Sequence, residues 1–236
     1  MKKTLLIILT TFFIYGIGES QTKTYWSSGG EMIFSFATID NNGDESGNIM
    51  RWSPVFNFQG MYNIDMTDNI GLFLGLAVRN VGFIYDNYTF DENGTTIKVK
   101  KKFRTYNLGV PVGIKLGNLK KLFVYGGYDF ELPFNYKEKT FRDEKKDKFN
   151  VWFSDRVEQF QHGFMVGIQL PYGGNLKFKY YLSNFHNKGY TESDGTKPYE
   201  NLNANIFYFS LNYNLFTPVK SYYKKGNKSE YYLNKK

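Results

Sequence analysis

Few residues in this chain are suited to catalysis. The only two histidines are His162 and His186, and the sequence contains no cysteine. Ser183 lies three residues before His186, and a histidine beside a serine is the arrangement that activates a hydroxyl group as a nucleophile. Residues three apart on a strand project from opposite faces, however, so the two side chains are not expected to meet. The spacing therefore predicts a protein without catalytic residues.

Metal ligands are equally sparse. Two separated histidines without a cysteine do not make the ligand set of a transition-metal site. The acidic segment 40–45 carries oxygen atoms suited to calcium, but it lacks the twelve-residue spacing of an EF-hand loop. A solvated turn is the simpler interpretation of this segment. We therefore expect neither a metal nor another cofactor.

Charged side chains at alternate positions of apolar segments are more informative. Lys177 and Lys179, for example, flank Phe178. Alternate residues share one face of a strand, so such a segment has one apolar face and one polar face. The charged residues predicted on the polar faces are Glu31, Arg79, Lys115, Asp129, Glu131, Lys177 and Lys179.

Eight segments with this alternation must position those charges. The clearest is the second, in which apolar residues from Trp52 to Ile64 alternate with polar residues from Ser53 to Asn63. Each segment has about the ten residues that a tilted strand needs to cross a bilayer. The predicted strands cover residues 30–40, 50–65, 70–85, 103–116, 121–132, 160–170, 176–185 and 203–216. The connections between them are alternately long and short, beginning with a long one.

The first residues have the three parts of a signal peptide. A basic start precedes an apolar run from Leu5 to Ile17 and the small-residue site Gly18-Glu19-Ser20. We predict cleavage after Ser20. The apolar run is shorter than the roughly 20 residues that a membrane-spanning helix requires. The predicted organisation is a signal peptide over residues 1–20, a β-domain over 21–216 and a basic periplasmic tail over 217–236.

Strand number, strand length and connections together predict the fold. Aromatic residues make up 19% of the chain, as expected of a surface that is half lipid-facing. In lipid every backbone polar group needs a partner within the protein, so a sheet that spans the membrane must close on itself. We predict an all-β protein, an eight-stranded antiparallel up-and-down transmembrane β-barrel of the outer membrane with a filled polar lumen. A soluble lipocalin-like barrel with reversed faces is the alternative.

Several segments resemble the PorT-like outer-membrane β-barrel family of Gram-negative bacteria. They are residues 108–115, 124–128, 163–168, 180–184 and 207–216. The resemblance covers essentially the whole barrel and implies an eight-stranded fold in the cell envelope. The member that gives the family its name is linked to a secretion and gliding apparatus, but the shared motifs are structural and identify no reaction.

The lumen charges have two interpretations. An eight-stranded barrel is only wide enough for its interior to be filled by side chains, and a charge there must be paired or hydrated. We predict two polar layers that close the lumen. Glu31, Lys115, Lys177 and Lys179 are expected near the periplasmic end, and Arg79 is expected to pair with Asp129 or Glu131 higher up. A narrow gated ion path is the alternative.

Basic residues cluster in the second long connection. They are Lys98, Lys100, Lys101, Lys102 and Arg104. At the level of the outer leaflet these side chains would contact lipopolysaccharide phosphates, although a solvated basic rim is an equal alternative. The third long connection, 135–158, mixes both charge signs and is expected to be solvated, with an apolar patch at 149–153 as a candidate partner surface.

The sequence thus favours a structural or interaction protein. Short turns are expected to face the periplasm together with both termini, and long loops are expected outside the cell. The expected partners are outer-membrane lipid and lipopolysaccharide, and an envelope or secretion-complex protein, without nucleic acid. The barrel is expected to be a monomer. A narrow channel and a lipid A-modifying enzyme are the alternatives.

Overall fold

The computed structural model describes residues 22–43, 45, 47–92, 95–142, 145–213 and 215–218. The predicted signal peptide and all but two residues of the predicted tail lie outside these ranges. The strands are β1 (Lys23–Asn41), β2 (Asn48–Ile49), β3 (Arg51–Ser53), β4 (Phe58–Asp65), β5 (Ile70–Glu92), β6 (Thr95–Asn118), β7 (Leu122–Arg142), β8 (Lys145–Trp152), β9 (Gln161–Gln169), β10 (Gly174–Tyr181) and β11 (Leu202–Tyr213). In the described part of the chain, no helix combines the length and apolarity needed to cross a bilayer.

Eight of these strands form a closed antiparallel ring. Its order is β11-β10-β9-β7-β6-β5-β4-β1, and β1 pairs with β11 to close it. The seam is long, since register partners run from Glu31 with Asn212 to Asn41 with Leu202. Closure gives every strand of the ring two neighbouring strands, so no strand of the ring is an edge strand. The predicted eight-stranded up-and-down barrel is therefore confirmed.

The two faces of the ring differ in polarity as predicted. Outward residues along the middle of the strands are apolar and exposed, for example Leu74 at 52%, Val124 at 53% and Leu211 at 52%. The inward side chains are buried and combine polar residues with two apolar clusters, one that includes Phe83 and one that includes Phe73. Three short turns, 66–69, 119–121 and 170–173, lie at one end of the ring, which we call the short-turn end. The opposite end is the long-loop end.

A row of aromatic side chains lies on the outer surface near each end. The short-turn row contains Trp26, Tyr62, Tyr172 and Tyr213. The long-loop row contains Phe56, Tyr106, Phe134 and Trp152, whose neighbouring rings lie 5.9 to 6.3 Å apart. Two aromatic girdles around an apolar band are typical of membrane barrels.

The predicted second strand is interrupted. β3 ends at Ser53 and β4 begins at Phe58, and between them Phe56 adopts a positive φ of 61°. Pro54 lacks the backbone N–H that a continuous ladder would need. Side chains replace the missing backbone pairs, because Asn57 Oδ1 accepts the Asn80 N–H at 2.7 Å and Ser53 Oγ donates to the Asn80 carbonyl at 3.1 Å.

Two predicted loops are largely strand. β5, β6 and β7 have 23, 24 and 21 residues, whereas about 9 to 11 suffice to cross a bilayer. The segments expected to be the loops 86–102 and 135–158 instead continue these strands and add β8, so a twisted sheet rises beyond the long-loop row. Because these segments carry charged residues on both faces, their sequence shows no alternation of apolar and polar residues.

The first and last strands also differ from prediction. β1 begins at Lys23, seven residues before the predicted start, and pairs with β4 along Lys23–Gly30. β11 ends at Tyr213, and Leu215 and Phe216 turn into the lumen, where they are 0% and 5% exposed. Residues 23–30 contain only two aromatic residues, Tyr25 and Trp26, at adjacent positions, so they show no apolar alternation.

Candidate functional site

Six charged side chains meet inside the ring and form what we call the interior network. They are Glu31 from β1, Arg79 from β5, Asp129 and Glu131 from β7, and Lys177 and Lys179 from β10, none more than 4% exposed. Three carboxylates face three cations. The formal charges therefore balance within the network.

Arg79 is the centre of the network. Its Nη1 lies 2.5 Å from Asp129 Oδ2 and 2.7 Å from Glu131 Oε1, and its Nε lies 3.3 Å from Glu31 Oε2. Gln59 Oε1 accepts a further bond from Nη2 at 3.2 Å. Arginine suits this position because its planar group donates in several fixed directions at once.

The two lysines complete the pairing. Lys179 Nζ lies 2.8 Å from Asp129 Oδ2 and 2.6 Å from Glu131 Oε1, so both carboxylates are shared with Arg79. Lys177 Nζ lies 2.7 Å from Glu31 Oε1. Every charged group of the network thus has at least one opposite partner.

Neutral groups and a glycine fit closely around these charges. Tyr181 Oη and Asn107 Nδ2 both donate to Glu131 Oε2 at 2.7 Å. A Cβ atom added at Gly109 would lie 2.9 Å from Arg79 Nη1 and 3.1 Å from Asp129 Oδ1. Glycine at position 109 therefore leaves space for the Arg79 and Asp129 side chains of the network.

Lys115 lies apart from the interior network. Its Nζ contacts Asp65 Oδ1 at 2.5 Å, Asn63 Oδ1 at 3.0 Å and the Tyr25 hydroxyl at 3.3 Å, close to the short-turn end. The expected two-layer division was wrong in its membership, since Glu31, Lys177 and Lys179 join Arg79 rather than Lys115. Asp65, the last residue of the second predicted strand, was not among the predicted lumen charges.

An aromatic cluster closes the lumen at the short-turn end. The Phe216 ring centre lies 5.5 Å from Phe73, 5.5 Å from Phe123 and 4.8 Å from Tyr125. Lys115 Nζ lies 5.5 Å from the same ring. Residues after β11 therefore supply part of the core, which no alternation pattern in 203–216 had indicated.

Residues 182–201 fold across the long-loop end and form what we call the cap. Phe185, His186 and Tyr199 are at most 2% exposed. The His186 ring stacks on Tyr199 at 4.2 Å and meets Phe103 at 4.6 Å. Neither His186 nitrogen has a hydrogen-bond partner among the described residues. Burial, followed by the charges of Lys101 and Arg156, lowers the pKa of His186 well below its ordinary value.

The residues considered for catalysis do not assemble. Ser183 Oγ accepts the backbone N–H of His162 at 3.1 Å, and the His186 imidazole is enclosed in the cap. The His162 Nδ1 atom contacts the Tyr128 hydroxyl at 2.5 Å on the outer surface of the ring. Within the described ranges, no three His, Cys, Asp or Glu side chains are grouped to hold a metal ion.

The basic residues of the second predicted loop lie on both faces of β6. Lys101 points inward, with its Nζ 2.6 Å from Glu138 Oε1 and 4.1 Å from the Tyr88 ring centre. Its inclusion in an outward lipid-contacting group was therefore wrong. Lys98, Lys100, Lys102 and Arg104 share the opposite parity and face outward. Lys100 forms an exposed ion pair with Asp86 at 3.4 Å.

The predicted apolar patch at 149–153 is not one surface. Phe149 faces the inner side of the sheet, where Tyr136 and Arg156 lie 6.2 Å and 4.8 Å from its ring. Trp152 faces outward and stacks on Phe134 in the long-loop row at 5.9 Å. The alternation of β8 separates these two aromatic residues.

A closed ring with an apolar outer band, two aromatic rows and a polar interior defines an outer-membrane β-barrel protein. A family model described as "Outer membrane protein beta-barrel domain" matches residues 19–188, and the chain belongs to this family. No curated protein matches the sequence significantly.

Several solved structures are similar over most of their length. They include Ail, the attachment invasion locus protein of Yersinia pestis, with 11% identity, a TM-score of 0.36, and coverage of 80% of this chain and 97% of that one. Neisserial surface protein A has 9% identity, a TM-score of 0.36, and coverage of 81% and 99%. OprG of Pseudomonas aeruginosa has 10% identity, a TM-score of 0.33, and coverage of 84% and 99%.

Proposed function

We propose that this outer-membrane barrel does not conduct ions and acts as an interaction protein through the sheet and cap at its long-loop end. That end faces the outside of the cell, and the short turns and both chain ends lie in the periplasm. The partner is a protein of the envelope or of a secretion complex, in line with the PorT-like resemblance. The chain functions as a monomer without catalytic activity.

The observation that carries this proposal is that the lumen is blocked at three levels. The Phe216 cluster lies at the short-turn end, the charge-balanced interior network lies in the middle, and the cap covers the long-loop end. An ion that entered would have to displace paired charges that are already desolvated, which costs several kcal/mol. The long extensions of β5, β6 and β7, which membrane crossing does not need, supply the interaction surface.

Bilayer recording tests the closed lumen. Purified protein inserted in planar bilayers is expected to give no current above background, while a conducting porin in the same membrane serves as a positive control. Discrete current steps that disappear in Arg79→Ala would contradict the proposal and support the narrow ion path. Folding of the purified protein is verified beforehand by a mobility shift between boiled and unboiled samples on a denaturing gel.

Crosslinking in intact cells tests the interaction role. A photoreactive residue at Lys188 or Asp194 in the cap is expected to form a discrete protein adduct. The same residue at Leu211, which faces lipid, is the matched control and should form none. Equal labelling from cap and control positions would refute a docking surface at this end.

The geometry also supports the absence of lipid-modifying activity. The Ser183 hydroxyl is bonded to backbone and the His186 ring is enclosed, so these two side chains do not form a pair that faces the lipid. Expression of the protein is therefore expected to leave the acyl chains of lipid A unchanged by mass spectrometry. A change in acylation that depends on Ser183 would overturn this part of the proposal.

A further inference from the structure

Outward cations cover three adjacent strands just beyond the long-loop row. We call this surface the basic face, and its members are Lys102 and Arg104 on β6, Lys137 and Lys139 on β7, and Lys146 and Lys148 on β8. They face one another in register, since Arg104 pairs with Lys137, Lys102 with Lys139, and Lys139 with Lys148. The last four lie in the segment 135–158, which was predicted to be a solvated loop of mixed charge.

A β-bulge brings the β7 lysines to this surface. The register between β6 and β7 shifts between Tyr106 and Asn107, where Phe134 is the extra residue. Below the bulge the odd-numbered residues of β7 face the lumen, as Asp129 and Glu131 do. Above it Tyr136 and Glu138 are the buried residues, so Lys137 and Lys139 face outward.

The described residues supply no ion-pair partner for the basic face. None of its six cations forms a salt bridge with a carboxylate in the described ranges, where the nearby Asp86 instead pairs with Lys100. The Arg104 Nε atom has no hydrogen-bond partner among the described residues. Like charges directly opposite one another destabilise a sheet. Protection of an exposed edge explains lysines on β8, but β6 and β7 are inner strands.

The crowding of these cations also lowers the pKa of two of the lysines. Partial burial, followed by the charges of Arg51, Arg104, Lys139 and Lys146, lowers the pKa of Lys102 to about 8. Burial and then the same kind of repulsion lower the pKa of Lys139. Both lysines would gain from an anion that neutralises them.

The height of the basic face identifies the anion. Outward residues of β6 are apolar from Leu116 to Leu108, and Tyr106 follows in the long-loop row. Ten residues from Leu116 to Tyr106 rise about 33 Å along a strand, or roughly 25 Å across the membrane at a tilt near 40°, which is the height of the apolar band. Arg104 is the next outward side chain, and Lys102 lies about 5 Å higher.

We propose that the basic face binds the phosphate groups of lipid A in the outer leaflet. This inference rests on the proposed orientation, with the long-loop end outside. Strands about 4.8 Å apart, with outward residues about 7 Å apart along each strand, present cations on both sides of a phosphate group. Tyr106 lies directly below, 5.1 Å from Lys137 Nζ and 5.9 Å from the Arg104 guanidinium, where the acyl chains of the same lipid would begin.

Binding of purified lipids to the folded full-length barrel tests the proposal. The triple variant K102Q/R104Q/K139Q is compared with the control K120Q/K121Q/K188Q, which removes the same charge elsewhere. Each removed cation near a lipid surface is worth about 1 kcal/mol, so we expect the first variant to lose at least about tenfold in affinity for bisphosphorylated lipid A. The control should stay within about twofold of the wild type.

Three further samples separate the sources of negative charge. Wild type is expected to bind dephosphorylated lipid A weakly, and neither inorganic phosphate nor soluble heparin should compete with lipid A at equal phosphate or sulfate concentration. If both variants lost the same affinity for lipid A, the binding would depend on net charge alone, and the proposal would be overturned. Loss of heparin binding in K102Q/R104Q/K139Q with lipid A binding intact would overturn it in favour of a soluble polyanion.

Failure of the underlying orientation is recognised separately. The chain has no cysteine, so a single cysteine placed by Lys188→Cys provides a unique label. A membrane-impermeant maleimide is expected to modify it on intact cells. If only lysed cells are labelled, the orientation is wrong; if intact cells are labelled and lipid A binding is unaffected in the triple variant, the basic face alone is wrong.

Discussion

Arg79 has more charged partners than any other residue of the interior network. Its side chain contacts the carboxylates of Glu31, Asp129 and Glu131, which come from two strands on different sides of the ring. From the sequence, the alternation of apolar and polar residues along each strand predicted that these side chains face the lumen. The choice of partners depends on register and side-chain length, which alternation does not fix.

Replacing Arg79 with methionine should destabilise the barrel strongly. The three carboxylates would share two lysines in a buried site, and removal of one partner from such a site costs about 3 to 5 kcal/mol. Urea unfolding followed by tryptophan fluorescence measures the change. As a control, Lys120→Met breaks an exposed ion pair with Asp68 and is expected to cost under about 1 kcal/mol. Equal losses of unfolding free energy in the two variants would show that Arg79 does not stabilise the interior network.

His186 is expected to make the cap sensitive to acid. In the closed cap its pKa lies well below the ordinary value because of burial, Lys101 and Arg156, while in an opened cap it returns to about 6.5. The neutral ring therefore stabilises the cap above about pH 6.5, and this stability is lost as the pH falls below that value. Burial, followed by the charge of Glu138, raises the pKa of Tyr199 to about 12, so the hydroxyl of Tyr199, whose ring stacks on His186, stays neutral across this range.

Hydrogen exchange of residues 182–201 at pH 7.5 and pH 5 measures this effect after correction for intrinsic exchange rates. Protection in the wild type should fall at pH 5. His186→Phe keeps an aromatic ring and removes the titrating group, so its protection should be independent of pH. A cap that opens equally in both proteins would assign the acid response to another group.

At the scale of elements, the bulge at Phe134 determines which face of β7 the charges occupy. Alternation read from sequence keeps one parity along a strand, and one extra residue exchanges the two faces. The faces of residues 121–132, before the bulge, were therefore predicted correctly, whereas Lys137 and Lys139 beyond it lie on the opposite face from Asp129 and Glu131. Bulges leave no mark in composition, so the sequence indicated Lys102 and Arg104 as lipid contacts but not Lys137 and Lys139 beside them.

Deletion of Phe134 should therefore disrupt the upper sheet. Without the extra residue, Lys137 and Lys139 would point inward and Tyr136 and Glu138 outward. Burying two unpaired lysines costs several kcal/mol for each ion, so the deletion is expected to reduce the fraction that shows heat-modifiable gel mobility after refolding. The control Phe134→Leu keeps the bulge and should refold normally. If the variant that lacks residue 134 refolded equally well, the bulge would not determine the register of β7.

At the scale of the whole molecule, the three closures act in series. Phe216→Ala removes a buried ring and should cost about 3 to 5 kcal/mol in unfolding free energy. The interior network and the cap remain, however, so this variant is expected to stay electrically silent in planar bilayers. Current through Phe216→Ala alone would show that the other two closures are permeable.

The interior network also orders the steps of assembly. Its charges come from β1, β5, β7 and β10, so no pair of neighbouring strands neutralises itself. A partly built sheet in the bilayer would expose Arg79 or Lys177 without Glu31, which only β1 supplies. Unpaired charge in hydrocarbon is costly, so the membrane favours only the finished ring. The barrel is therefore expected to enter the bilayer as its first and last strands join, without a stable half-inserted stage.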